Sequence, residues 1–281
     1  MKKLITSLVL TSIGIGSILL LVNFYGFTQA LRPTNITVEN LRFGDSDVSL
    51  SQAEYFEAVK RTADESDVEY SQRLTTIISQ GTAHIHWERY DPKLFNQLVP
   101  VWENWILHTM GLFSGIPEFE RYHFANPYKS MERGIGICGD ASMVMTQLLE
   151  ENGIEASMLT FPGHVVVTAV IDGSPYIFDP DFGVVIPASA EQLNQNVNIV
   201  DGFYSNAGYP VSDDTFFMDT YNKAYTTWDG PETFITKKFY FEKFAYLAKW
   251  LLPLLALVFG VYLVRRNSHK TDTTSQYSVK K

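Results

Sequence analysis

Apolar residues dominate both ends of this chain and alternate with polar ones through its middle. From Leu4 to Val22 no position is charged, a nineteen-residue run directly preceded by MKK. At about 1.5 Å per residue a helix of that length comes close to the ~30 Å hydrocarbon core of a bilayer. A second apolar run, Phe244 to Val264, carries LLPLLALVFGVYLV and ends at Arg265-Arg266, with Lys249 placed to reach the headgroups and Pro253 expected to kink the helix. Between the runs the pattern turns amphipathic. SQAEYFEAVKR offers a Ser51–Glu54 capping box with Tyr55, Ala58 and Val59 at helical spacing, and a second helix is predicted over 70–79. The dense aromatics from Asp91 to Met110 predict core helices broken at Pro100.

From residue 138 the pattern is clearest. Asp140 to Asn152 places Ala141, Val144, Met145, Leu148 and Leu149 on one helical face, and Gly153 stops the helix. Ile154 to Phe161 reads as a strand, Pro162-Gly163 as a turn, and His164 to Ile171 as a β-branched strand. Asp172 to Pro175 then turns the chain into Tyr176 to Asp179, giving a β-hairpin. Residues 182–237, rich in Asn, Gly, Tyr and Asp, read as loop-heavy and suited to wall a cleft.

Charge orients this arrangement. Residues 31–243 hold 14 basic and 30 acidic residues, whereas the two ends hold 8 basic and 1 acidic, within a chain of net charge −9. Basic residues gather on the cytoplasmic side of membrane segments, so Lys2, Lys3, Arg265, Arg266 and Lys270 place both termini inside and the middle outside. The domains expected are an N-terminal anchor at 1–30, a linker at 31–50, an extracytoplasmic domain at 51–243, a transmembrane helix at 244–266 and a disordered tail at 267–281. A cleaved signal peptide ending at Thr28-Gln29-Ala30 is the competing reading of the first segment. The length of the apolar run favours an uncleaved anchor. An acidic middle domain excludes nucleic acid as a partner.

Outside the cytoplasm a lone cysteine has no partner in its own chain, so Cys138 is buried, joined to another chain, or reactive. Its setting, GIGICGDASM, puts it at a helix start, where unpaired amides and the helix dipole favour a thiolate. The glycines at 134, 136 and 139 allow a substrate backbone to approach, and the Cys138 amide is a candidate oxyanion donor. In the hairpin the start of one strand lies beside the end of the next, so His164 and Asp179 are expected as neighbours. The roles these residue types suit are nucleophile for Cys138, proton carrier for His164 and orienting carboxylate for Asp179. Asp181 shares a strand face with Asp179 and is the alternative carboxylate. His84-x-His86 lacks a third metal ligand at useful spacing, and no cofactor or metal site is expected.

Gly136-Ile137-Cys138-Gly139-Asp140, Gly153-Ile154, His164-Val165-Val166-Val167 and Asp179-Pro180, in that order, resemble the core of the transglutaminase-like superfamily of papain-like cysteine enzymes. The resemblance covers mainly 131–187, with the helices from 51 to 112 as the preceding layer. It implies an α+β fold in which a helical layer, with the cysteine at a helix N-terminus, packs on an antiparallel β-sheet, here flanked by two transmembrane helices. It also implies a Cys138–His164–Asp179 triad acting through a thioester, with hydrolysis of a protein or peptide at the cell surface or periplasm favoured over transglutamination. Val166 and Asp181 depart from the family's usual aromatic and Thr/Ser. The family's second oxyanion donor comes from an upstream side chain, for which Tyr122, His123 and Asn126 are the candidates. A silent scaffold that binds a surface protein or a polysaccharide through its aromatics is the competing function, and a membrane assembly factor a third.

Overall fold

The computed structural model describes residues 2–44 and 47–278. In chain order the helices are α1 (Lys2–Gly26), α2 (Gln52–Ala58), α3 (Asp67–Gly81), α4 (Trp105–Phe113), α5 (Pro117–Glu120), α6 (Pro127–Arg133) and α7 (Cys138–Glu151). Strands β1 (Ser157–Phe161), β2 (His164–Ile171), β3 (Ser174–Asp179) and β4 (Val184–Ile186) follow. Then come α8 (Ala190–Gln195), α9 (Phe203–Asn206), α10 (Val211–Tyr221), β5 (Thr226–Trp228), α11 (Pro231–Phe234) and α12 (Thr236–Ser278). The chain forms two compact units, one of residues 1–30, 98–121 and 242–281, the other of residues 31–97 and 122–241.

The second unit is α+β. Its five-stranded antiparallel sheet has the order β4-β3-β2-β1-β5. Period-two alternation lets β2 serve two cores at once. Val167, Ala169 and Ile171, with Phe178 of β3, face Tyr70, Leu74 and Ile78 of α3 and Val144, Met145, Leu148 and Leu149 of α7. Val166 and Ile177, with Leu159 and Phe161 of β1, face Leu193, Tyr204, Phe217 and Tyr221 from α8 to α10. Local chemistry sets the helix ends. Ser51–Glu54 and Ser66–Glu69 form capping boxes on α2 and α3, and Gly134, at φ 61°, closes α6 in the left-handed conformation. Gly153, at φ 79°, ends α7 as expected.

Several expectations differ from the structure. Residues 91–104 form turns, and helix begins only at Trp105, where the Asn104 side chain accepts from the Ile106 and Leu107 amides. Pro92 and Pro100 each remove a helical donor, and Asn96 takes a positive φ of 55°. Residues 182–237 carry β4, β5 and four helices instead of loop alone. In addition, α12 begins before the expected span at 244 and continues through the tail to Ser278.

In the first unit α1 and α12 are both long and apolar enough to cross a membrane, over Thr6–Gly26 and Thr236–Arg266. Only 17% of each apolar window is buried, so both helices leave most of their apolar surface exposed. Small residues bring the two together: a Cβ on Gly16 would lie 2.7 Å from the Pro253 carbonyl oxygen, and one on Gly260 would lie 2.5 Å from Ile13 Cγ1. Pro253 deprives the Lys249 carbonyl, four residues back, of its helical donor. Asn23 Nδ2 at 2.6 Å and Trp105 Nε1 at 3.4 Å donate to that carbonyl instead. Lys249 Nζ, expected at the headgroups, donates to the Glu103 carbonyl at 2.5 Å.

Candidate active site

Cys138 is the first residue of α7 and is half-buried among Met143, Met158, Val165, Trp228 and Phe234. The turn before it is fixed from below by Asp140, which is 1% exposed. The Asp140 carboxylate accepts from the Ile137 amide at 3.0 Å and from His123 Nδ1 at 2.8 Å, and lies 3.8 Å from Arg133. Burial opposes this charge, but His123, Arg133 and the amide hold Asp140 below the usual aspartate range. A Cβ on Gly136 would fall 2.8 Å from Asp140 Cβ, so this glycine is required by close packing.

His164 opens β2 on the sheet face that meets α9 and α10 and is 4% exposed. Val167 pairs with Phe178, so continuing that register by three residues would set His164 opposite Asp181. The strand ends first, at Asp179. The chain turns at Pro180, Asp179 Oδ1 accepts from the Asp181 and Phe182 amides at 3.2 and 3.3 Å, and Asp179 Oδ2 accepts from His164 Nε2 at 2.7 Å. Tyr204 Oη donates to the same oxygen at 2.8 Å, and Tyr221 Oη lies 2.8 Å from Tyr204 Oη. Burial works against a charged His164 ring, yet Asp179, and secondarily Cys138, outweigh it and hold this imidazole well above the usual histidine range. Burial and Asp179 push both tyrosines upward, so they stay neutral donors.

Asp181, expected as an alternative to Asp179, has a place of its own. One of its oxygens, Cys138 Sγ and a His164 ring nitrogen all lie within 4.8 Å of one another. Its Oδ1 lies 3.2 Å from His84 Nε2 and its Oδ2 3.6 Å from Arg42. His84 Nδ1 in turn meets Asp47 Oδ1 at 2.8 Å. Burial disfavours the His84 cation, but Asp181 and Asp47 raise it to about 9. His84 and His86 therefore do not form a metal pair: the first is buried against two carboxylates and the second is exposed.

The structure thus brings Cys138, His164 and Asp179 into one cluster and adds Asp181, Tyr204, Tyr221 and His84. Tyr204 and Tyr221 gave no signal beyond the helical spacing of Phe217 and Tyr221. The upstream candidates for an oxyanion donor have other partners: His123 holds Asp140 and stacks on Trp87, Asn126 caps α6 through the Lys129 amide, and Tyr122 is fully buried against Phe124. A cavity of about 430 Å³ is lined by Phe43, Asp47, His84, Phe182 and Tyr209 among others, and Cys138 is not part of its lining. Comparison with known protein families, curated proteins and solved structures finds no match for this chain.

Proposed function

We propose that this chain is a membrane-tethered cysteine enzyme of transglutaminase-like architecture that cleaves an amide or related acyl bond outside the cytoplasm. The carrying observation is the 2.7 Å bond from His164 to Asp179 beside a cysteine at a helix N-terminus. With Nε2 engaged by Asp179, His164 Nδ1 is the nitrogen left to take the proton from Sγ. The sulfur attacks the substrate carbonyl, and the oxyanion that forms lies near the Cys138 amide and the positive end of α7. His164 returns the proton to the departing amine, leaving a thioester. Water, deprotonated by the same imidazole, then releases the acyl group and regenerates the thiol. Asp179 keeps the ring in the required tautomer, and Tyr204, backed by Tyr221, keeps Asp179 in line. An amine in place of water would give transamidation through the same intermediate. Hydrolysis is preferred as the commoner outcome among anchored members of that superfamily, with a surface protein or peptide as substrate.

The apolar, exposed faces of α1 and α12 support the tether, and the excess of basic residues beside both spans supports an outward-facing domain. The hydrogen bond from Asn23 of α1 to α12 supports an uncleaved first segment. The test is the rate at which an iodoacetamide probe labels the full-length protein at neutral pH, together with a comparison of cleaved surface proteins between wild type and Cys138→Ala. Labelling well above that of free cysteine, and cleavage products lost in the variant, are expected. A thiol of ordinary reactivity would sink the proposal. That outcome would favour a binding scaffold, a reading supported by the cavity that stands apart from Cys138.

A further inference from the structure

We propose that Cys138, His164 and Asp181 form a three-ligand site for a borderline-soft divalent cation of the zinc class, whose binding blocks the sulfur reversibly. A thiolate, an imidazole and a carboxylate are a donor set suited to that ion, and the three donor atoms already lie within 4.8 Å of one another. With metal–ligand bonds of about 2.0 to 2.3 Å, a tetrahedral site needs donors about 3.5 Å apart, so closing it takes side-chain shifts of about 1 Å. The surroundings resemble those of metal ligands. His164 Nε2 is hydrogen-bonded to Asp179, which leaves Nδ1 for the ion in the carboxylate–histidine–metal arrangement. Asp181 is oriented in its turn by Arg42 and His84, and its fully buried Oδ1 makes no aligned hydrogen bond among the described residues. On binding, the ion takes the place of the proton shared between Sγ and Nδ1, which leaves to solvent; no bond is oxidised or reduced. The fourth position stays open to water, and the sulfur lone pair that would attack a carbonyl is occupied.

This inference concerns the same cleft as the acyl chemistry but does not need it. The full-length protein in detergent micelles, stripped with chelator, is labelled with iodoacetamide while Zn²⁺ alone is titrated, and each variant is compared with its own metal-free rate. Micromolar Zn²⁺ is expected to suppress labelling, chelator to restore it, and Asp181→Asn to raise the half-protecting concentration at least tenfold. Because Asp181→Asn could also disturb folding, Co²⁺ supplies a second readout on the unaltered protein. A thiolate-to-cobalt charge-transfer band, absent in Cys138→Ser, together with intense visible bands of four-coordinate geometry, is expected. No zinc protection of the wild type, an unchanged half-protecting concentration in a folded Asp181→Asn, or a cobalt spectrum without the thiolate band would each overturn the site. Slow labelling in the metal-free protein, in contrast, would count against the enzyme reading and leave the metal result standing.

A separate observation carries a second inference: we infer that α4 and the turn after it lie in the headgroup boundary of a bilayer. WILHTMGLF has no acidic or basic residue other than His108, yet only Leu107 is buried, while Leu112, Phe113 and Ile116 are 45, 79 and 44% exposed. The segment belongs to the same unit as the two apolar spans, and Trp105 is bonded to Lys249 of α12, beside Trp250 and Tyr246. Aromatics of this kind gather at membrane interfaces, which makes lipid the occupant of the exposed face. An environment-sensitive fluorophore on Phe113→Cys, in a Cys138→Ser background, should shift to the blue and be quenched by brominated lipid in nanodiscs of zwitterionic phospholipid. A water-like spectrum without quenching would overturn the inference.

Discussion

His84, together with the two carboxylates it bridges, makes a proton-linked contribution to stability. Its ring is 1% exposed and bridges Asp47 and Asp181, with Arg42 on the far side of Asp181. Burial alone would discharge it, but the two carboxylates raise it from 6.5 to about 9. Because the folded value lies above the unfolded one, the folded state binds the proton more tightly. The stabilisation is complete below about pH 6.5 and is lost as pH rises through about 9. At 1.36 kcal/mol per unit this span corresponds to about 3 kcal/mol. Urea unfolding of the full-length protein in micelles, followed by near-UV circular dichroism across this range, compares wild type with His84→Gln. Titrating groups that do not touch His84 act in both proteins and cancel in the difference, so what remains is the linked titration of His84 with Asp47 and Asp181. The stability gap should be widest near pH 6 and narrow by about 3 kcal/mol by about pH 10. A gap that stays constant with pH would refute the claim that His84 carries a proton between its carboxylates.

Other outcomes follow from neighbouring contacts. Asp140→Ala removes the buried carboxylate that accepts from the Ile137 amide and His123 and lies against Arg133, so a loss of about 3 to 5 kcal/mol is expected, read as a lowered melting temperature with faster amide exchange in the first turn of α7. Tyr204→Phe removes one donor from Asp179 and should cost about 1 kcal/mol, with iodoacetamide labelling of Cys138 slowed by a measurable factor; unchanged labelling would show that Tyr204 supports the fold alone. Cys138 is the chain's single thiol and so reports topology: a membrane-impermeant maleimide should reach it without permeabilising the cytoplasmic membrane, and labelling that requires such permeabilisation would reverse the orientation.

Much of the cluster was legible because two periodicities met there. The apolar stripe from Ala141 to Leu149 and the alternation from His164 to Ile171 define α7 and β2 directly, and a hairpin leaves the next strand little freedom in where it ends. What the sequence did not disclose depends on contacts remote along the chain. Asp179 lies beside His164 as expected, but for a different reason: the continued register would set Asp181 opposite the ring, and the turn at Pro180 brings Asp179 to it instead. The strands β4 and β5 have three residues each, too few for a pattern. The aromatics from 91 to 104 promised helices because large apolar residues suit a core, but Phe95 is buried from a turn in a stretch that Pro92 and Pro100 keep out of helix. Tyr204 and Tyr221 become part of the site only through tertiary packing against Asp179.

The division of the chain into its two units has a practical consequence for release of the cysteine-bearing part. The polypeptide passes between them near residues 30, 97, 121 and 241, because the segment 98–121 is grouped with the apolar spans. One proteolytic cut after Ala30, or one before α12, would leave the cysteine-bearing part still covalently held. Shedding it would take severance at several junctions, and an excised 31–241 fragment would carry the stretch 98–121 away from the apolar helices it packs with.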